Sequence, residues 1–149
     1  VPPVLTILGD TVRSAQVGQT ITLRARLEDD GLPQTRTRST RTEDQLLRAM
    51  MRAPTRPTVD KINGLYLSWN VYRGSGAVTF DPPQTKVWED TRASANSPWG
   101  YLWLPPEIPE DGMIEVEVTF DEPGTYVLWA RADDGGLYDD GYVTVNVAP

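Results

Sequence analysis

Glu122-Pro123-Gly124-Thr125-Tyr126-Val127-Leu128-Trp129-Ala130-Arg131-Ala132 is the stretch that decides how this chain is read. Pro123-Gly124 is a turn signal, because proline presets φ and glycine takes positive φ without a steric cost. From Thr125 the residues alternate: Tyr126 and Leu128 take one side, and Val127, Trp129 and Arg131 the other. Such period-two patterning marks a strand with one buried face. The pattern recurs on either side of it. Val143, Val145 and Val147 alternate with Tyr142, Thr144 and Asn146. Ile114, Val116, Val118 and Phe120 alternate with Glu115, Glu117 and Thr119. Ile21, Leu23, Ala25 and Leu27 oppose Thr20, Thr22, Arg24 and Arg26. Leu65, Leu67, Trp69 and Val71 oppose Tyr66, Ser68, Asn70 and Tyr72. Val4–Leu8 and the run 77–80 are shorter. About seven strands with one half-buried face each predict an all-β antiparallel sandwich.

The chain has 149 residues, enough for one domain (1–149) with a single core. It contains no Cys and no His. That excludes disulfides, thiol nucleophiles, His-dependent triads and most catalytic zinc or iron sites. No apolar run reaches the ~18 residues of a membrane helix, and no membrane span is expected. The chain opens Val1-Pro2-Pro3 with no basic-then-apolar leader, which reads as a processed mature chain or an excised domain. Its last strand stops at Ala148-Pro149, which reads as the end of a self-contained module.

Two stretches break the pattern. From Pro33 to Asn63, Arg36, Arg38, Arg41, Arg48, Arg52, Arg56 and Lys61 face only Glu43, Asp44 and Asp60. Seven basic against three acidic residues make this insertion +4, and the rest, seven basic against 18 acidic, carries −11. Thr42-Glu43-Asp44-Gln45 is a capping-box pattern. It predicts one short helix with Leu46, Leu47, Met50 and Met51 on its apolar side, stopped by Pro54 and Pro57. The second stretch, 82–112, holds Trp88, Trp99, Tyr101 and Trp103 among prolines. It reads as an irregular segment that packs on the sandwich or faces a partner.

Glu122 to Leu128 resembles the tyrosine-corner pattern of immunoglobulin-like domains, with Leu128 where the family carries a cysteine. Trp69 matches the family's buried strand-C tryptophan, and Ala25 stands at the other cysteine position. Gly124 to Leu128 with Ala132-Asp133-Asp134-Gly135 and Val143-Thr144-Val145 resembles the last strands of bacterial PKD-type and cadherin-like extracellular domains. The resemblance implies an immunoglobulin-like β-sandwich without a disulfide, and Ala25, Trp69 and Leu128 packed in its place. It makes the segment 33–63, with its helix, the B–C loop and 133–141 the F–G loop, both at one pole.

Three features bear on binding. Asp133, Asp134, Asp139 and Asp140 could supply calcium oxygens, although Asp-Gly pairs also simply make turns. Apart from such a calcium ion, no cofactor is expected. The outward face of strands C, F and G presents Tyr66, Ser68, Asn70, Tyr72, Trp129, Arg131 and Tyr142. It reads as an aromatic–polar platform for a protein hot spot or a sugar, unless the 88–103 stretch folds over it. The insertion, through Arg36, Arg38, Arg41, Leu47, Arg48, Met51 and Arg52, fits docking on an acidic protein surface, another copy of this chain included; a solvated loop packed on its own sandwich is the plain alternative. The −11 remainder opposes nucleic-acid binding. Glu115 and Glu117 share one outward face as solvated acids, and no catalysis is expected. The expected role is a non-catalytic extracellular, cell-surface or periplasmic module making protein–protein contacts; the alternative is a carbohydrate-binding accessory domain.

Overall fold

The structure is a computed structural model, and it describes residues 1–32, 64–84 and 107–149. The expected helix of the 33–63 segment and the tryptophans of the 85–106 stretch lie outside the described residues. Among the described residues eight strands form: β1 (Val4–Leu8), β2 (Val12–Gln16), β3 (Thr20–Glu28), β4 (Tyr66–Arg73), β5 (Val78–Asp81), β6 (Met113–Phe120), β7 (Gly124–Asp133) and β8 (Tyr138–Ala148). They build two four-stranded sheets, ordered β1-β3-β6-β5 and β2-β8-β7-β4. This strand order is that of an immunoglobulin-like sandwich. Every pairing is antiparallel except β2 with β8, which is parallel.

The alternating residues meet where the two inner faces pack. Leu23, Ala25 and Leu27 of β3, Val116, Val118 and Phe120 of β6, Leu128 and Ala130 of β7, and Val143 and Val145 of β8 form one buried cluster. Trp69 is almost fully buried in it, with Ala25 and Leu128 in the same cluster. With Ala25 and Leu128 at the two expected cysteine positions, this part of the core is held by apolar burial.

Tyr126 is fully buried, its ring 4.8 Å from Phe120, and its hydroxyl donates to the Glu122 carbonyl at 2.9 Å. That bond satisfies a polar atom that would be costly to bury alone. The Gly74-Ser75-Gly76 turn lies directly over the ring. A Cβ at Gly74, whose φ is +151°, would run into Cδ1 of Tyr126, and one at Gly76 into its hydroxyl. Only glycine lets the backbone approach so closely.

The strand missing from the sequence reading is β2. Its residues Val12-Arg13-Ser14-Ala15-Gln16 bury only Ala15, so no alternation of apolar residues announces it. The chain leaves the first sheet after β1 and enters the second as β2, and Arg13 secures the crossing. Its guanidinium donates to the carbonyls of Asp10 (2.9 Å), Thr22 (2.6 Å) and Leu8 (2.8 Å). Those carbonyls belong to the change of sheet, where ladder partners run out.

Candidate functional site: the aromatic face of the second sheet

Register places the outward residues of β7 and β8 side by side: Trp129 opposite Tyr142, Arg131 opposite Asp140, and Asp133 opposite Tyr138. On the other flank Asn70 of β4 opposes Trp129, and Ser68 opposes Arg131. Arg131 organises the centre. Its Nε and Nη2 donate to the two carboxylate oxygens of Asp140 at 2.7 and 2.8 Å. The same guanidinium lies 4.6 Å over the Trp129 ring and 3.8 Å over the Tyr138 ring. Trp129 Nε1 donates to Asp140 Oδ1 at 2.9 Å. A planar cation suits this position because it stacks and forks at once. The Arg131 hydrogen bond holds the Asp140 carboxyl below its ordinary value, against burial and with help from Trp129.

Next to this cluster β4 bulges between Val71 and Arg73. The register shift brings Tyr72 against Tyr142, with ring centroids 5.7 Å apart and planes at 71°. Arg73 sits 5.6 Å over the Tyr72 ring. Tyr72 is 56% exposed, Tyr138 56% and Tyr142 46%. Val71, expected inside, is 39% exposed although it stands ahead of the bulge, in register opposite the buried Leu128.

The structure brings the expected Trp129 and Tyr142 together but corrects the platform around them. Tyr66, Ser68 and Asn70 point away from the core, yet all three are buried. Asn70 Nδ2 donates to Ser68 Oγ at 2.8 Å within that buried row. Burial, with Asp133 behind it, pushes the Tyr66 phenol well above its ordinary value. One face of the Trp129 indole is taken by Arg131, and Tyr72 and Tyr142 meet edge to face.

The four aspartates divide their work. Asp133 Oδ1 accepts from the Gly135 N–H, and Asp134 Oδ1 from those of Gly136 and Leu137. Asp139 Oδ2 accepts from Leu5 N–H and its Oδ1 from Asp140 N–H, while Asp140 holds Arg131. Among the described residues no group of three or more carboxylates converges as a metal site would require. The F–G loop is also shorter than expected. β7 runs to Asp133 and β8 starts at Tyr138, so Asp139 and Asp140 are strand residues. Aspartate is a poor strand former; here the arginine opposite and the edge bond to Leu5 hold it there. Tyr138 and Arg13 escaped the sequence reading. Tyr138 stands in step with Asp140 and Tyr142 and was legible once 138–142 is read as strand; nothing marked Arg13. Arg36, Arg38, Arg41, Leu47, Arg48, Met51 and Arg52 lie outside the described residues.

No protein-family model and no curated protein matches the chain. Among solved structures it is similar to domains 4 and 5 of the S-layer protein SbsC, at 15% identity and TM-score 0.44, covering 99% of this chain and 47% of that one. It is similar to a conjugative transposon lipoprotein from Bacteroides eggerthii DSM 20697, at 13% identity and TM-score 0.48, covering 97% of each. A third likeness is to Dpr2 Ig1-Ig2 in complex with DIP-Theta Ig1-Ig3, at 14% identity and TM-score 0.42, covering 99% of this chain and 33% of that one. The chain thus spans about half the length of the S-layer fragment it matches. The immunoglobulin-like assignment rests on the strand order and the tyrosine corner, and none of these likenesses carries a function across.

Proposed function

We propose that this chain is a non-catalytic binding and assembly module that docks on a protein partner through the outward face of β2-β8-β7-β4. Exposed Tyr72, Tyr138 and Tyr142 around the fixed Arg131–Asp140 pair are the carrying observation. Tyrosines give large contact area with few rotamers to freeze, and a pair already neutralised costs less to cover than a lone charge. The arginines of the 33–63 segment add attraction toward an acidic partner. The described residues hold five basic and 16 acidic side chains, a charge of −11, so a second copy is such a partner. The kinship with PKD-type and cadherin-like domains, and the extracellular or cell-surface setting that goes with it, are supported by the sequence pattern of 124–145. Among the described residues no helix is long and apolar enough to cross a membrane.

Sedimentation velocity of the full chain tests this. Concentration-dependent association is expected at about 50 mM salt, fading toward about 500 mM as screening shortens the reach of the charges. Association that ignores both salt and the reversal of Arg36, Arg38, Arg41, Arg48 and Arg52 to Glu would remove the charge component. A chain that stays monomeric throughout would count against a second copy as the partner.

A further inference from the structure

We infer that three side-chain acceptors close the sheet edges of this sandwich to strand addition, so that a partner meets the chain through side chains on a face and not through a shared strand. Among the described residues the edge strands are β1 and β5 in one sheet and β2 and β4 in the other. An edge strand ordinarily leaves a row of outward N–H groups that can template another chain. Here Leu5 N–H of β1 donates to Asp139 Oδ2 at 2.9 Å. Gln16 N–H of β2 donates to Gln19 Oε1 at 2.9 Å. Trp69 N–H of β4 donates to Gln84 Oε1 at 2.9 Å. One edge donor on each of three strands is therefore already spent.

The acceptors are held in place. Gln84 Nε2 donates to the Pro82 carbonyl at 2.8 Å, which turns the amide oxygen toward Trp69. Asp139 keeps its second oxygen on Asp140 N–H at 2.9 Å. Gln19 N–H returns to the Gln16 carbonyl at 3.0 Å, closing the turn that carries its side chain. β5 needs no such plug. Asp121 N–H bonds Ala77 O, and Thr79 pairs with Thr119. In an antiparallel ladder that phase leaves Val78 and Phe80 as the outward residues. Two residues followed by Pro82-Pro83 make a poor template.

Amide hydrogen exchange on the full chain tests the inference. The Leu5, Gln16 and Trp69 amides are expected to exchange at least about tenfold more slowly than the Val78 and Phe80 amides. Gln19→Ala and Gln84→Ala should each speed exchange about tenfold at Gln16 and Trp69 alone. Gln19 lies on an exposed turn, so its variant keeps the fold. Asp139→Asn retains an acceptor and should keep Leu5 protected where Asp139→Ala does not. In about 500 mM salt, where charge-driven contact is screened, the Gln19→Ala/Gln84→Ala variant should sediment as oligomers and the parent chain should not. Parent amides at Leu5, Gln16 and Trp69 exchanging as fast as Val78 would overturn the inference. So would a double variant with faster exchange and unchanged sedimentation.

Discussion

The two outward faces of the sandwich are built from different materials. On β3 and β6 the outward residues are Thr20, Thr22, Arg24, Arg26, Glu115, Glu117 and Thr119. They pair across the strands in small, wet contacts: Thr20 with Thr119 at 3.0 Å, and Arg24 with Glu115 at 2.8 Å. On β7 and β8 the outward residues are Trp129, Arg131, Tyr138, Asp140 and Tyr142. Among the described residues each face has one cross-strand Arg–carboxylate pair, of nearly equal length, 2.8 Å and 2.7 Å. The Arg24 and Glu115 side chains are 58% and 57% exposed; those of Arg131 and Asp140 are 18% and 23% exposed. Length alone therefore says little about what a pair contributes. Water competes for the first pair and is largely excluded from the second, which also has aromatic rings on either side.

Matched substitutions break or sharpen that contrast, and they give the largest expected effect. Arg131→Ala should lower unfolding free energy by about 2–3 kcal/mol, because it strands a half-buried carboxylate and removes two ring contacts. Arg24→Ala should stay within about 0.5 kcal/mol. Urea unfolding of both variants, with Asp140→Asn and Glu115→Gln to close the two double-mutant cycles, gives the coupling energies directly. Equal coupling on the two faces would erase the distinction.

A smaller effect should separate the faces in binding. Tyr72→Ala and Tyr142→Ala should each weaken association by about 1–2 kcal/mol, roughly tenfold, while folding changes little. Thr22→Ala and Thr119→Ala, on the opposite face, should leave association as it was. Weakening from the threonine variants in the same sedimentation experiment would move the docking surface to the other sheet.

How much of this was legible depended on whether a residue answers to local pattern or to a distant partner. The core strands were legible because burial on one face imposes period two, and Trp69 and Tyr126 stand at positions only an interior ring can fill. β2 was not, since an edge strand that buries one alanine has no period to show. Tyr66, Ser68 and Asn70 were rightly read as facing away from the core, but what buries that row is tertiary, and polarity in the sequence looks the same whether or not it is wet. The Asp139–Asp140 step read as a loop because strand propensity counts against aspartate. Arg131, nine residues before Asp140 and opposite it on the neighbouring strand, overrides that preference. Arg13 gave no sign at all: three carbonyls gathered at a change of sheet are a product of topology.

The smallest effect concerns acid, and it tells which half of the Arg131 cluster matters more. Arg131 keeps the Asp140 carboxyl below its ordinary value in the folded chain. In the unfolded chain that carboxyl takes up its proton near pH 4. Above about pH 4 the folded state gains from the ionised pair. As pH falls through the lower folded value, Asp140 protonates there too and the gain disappears. Asp133 also lies in the field of Arg131; the remaining carboxylates titrate alike in both proteins and drop out of a difference. The gap in unfolding free energy between the parent chain and Arg131→Ala should therefore hold steady from about pH 7 to 5 and narrow below about pH 4. A gap that stays constant down to about pH 2.5 would mean that Arg131 stabilises the face through its contacts with Trp129 and Tyr138 and not through Asp140. The two arginine–carboxylate pairs would then differ in ring contact, with burial of the ion pair a minor part of the contrast.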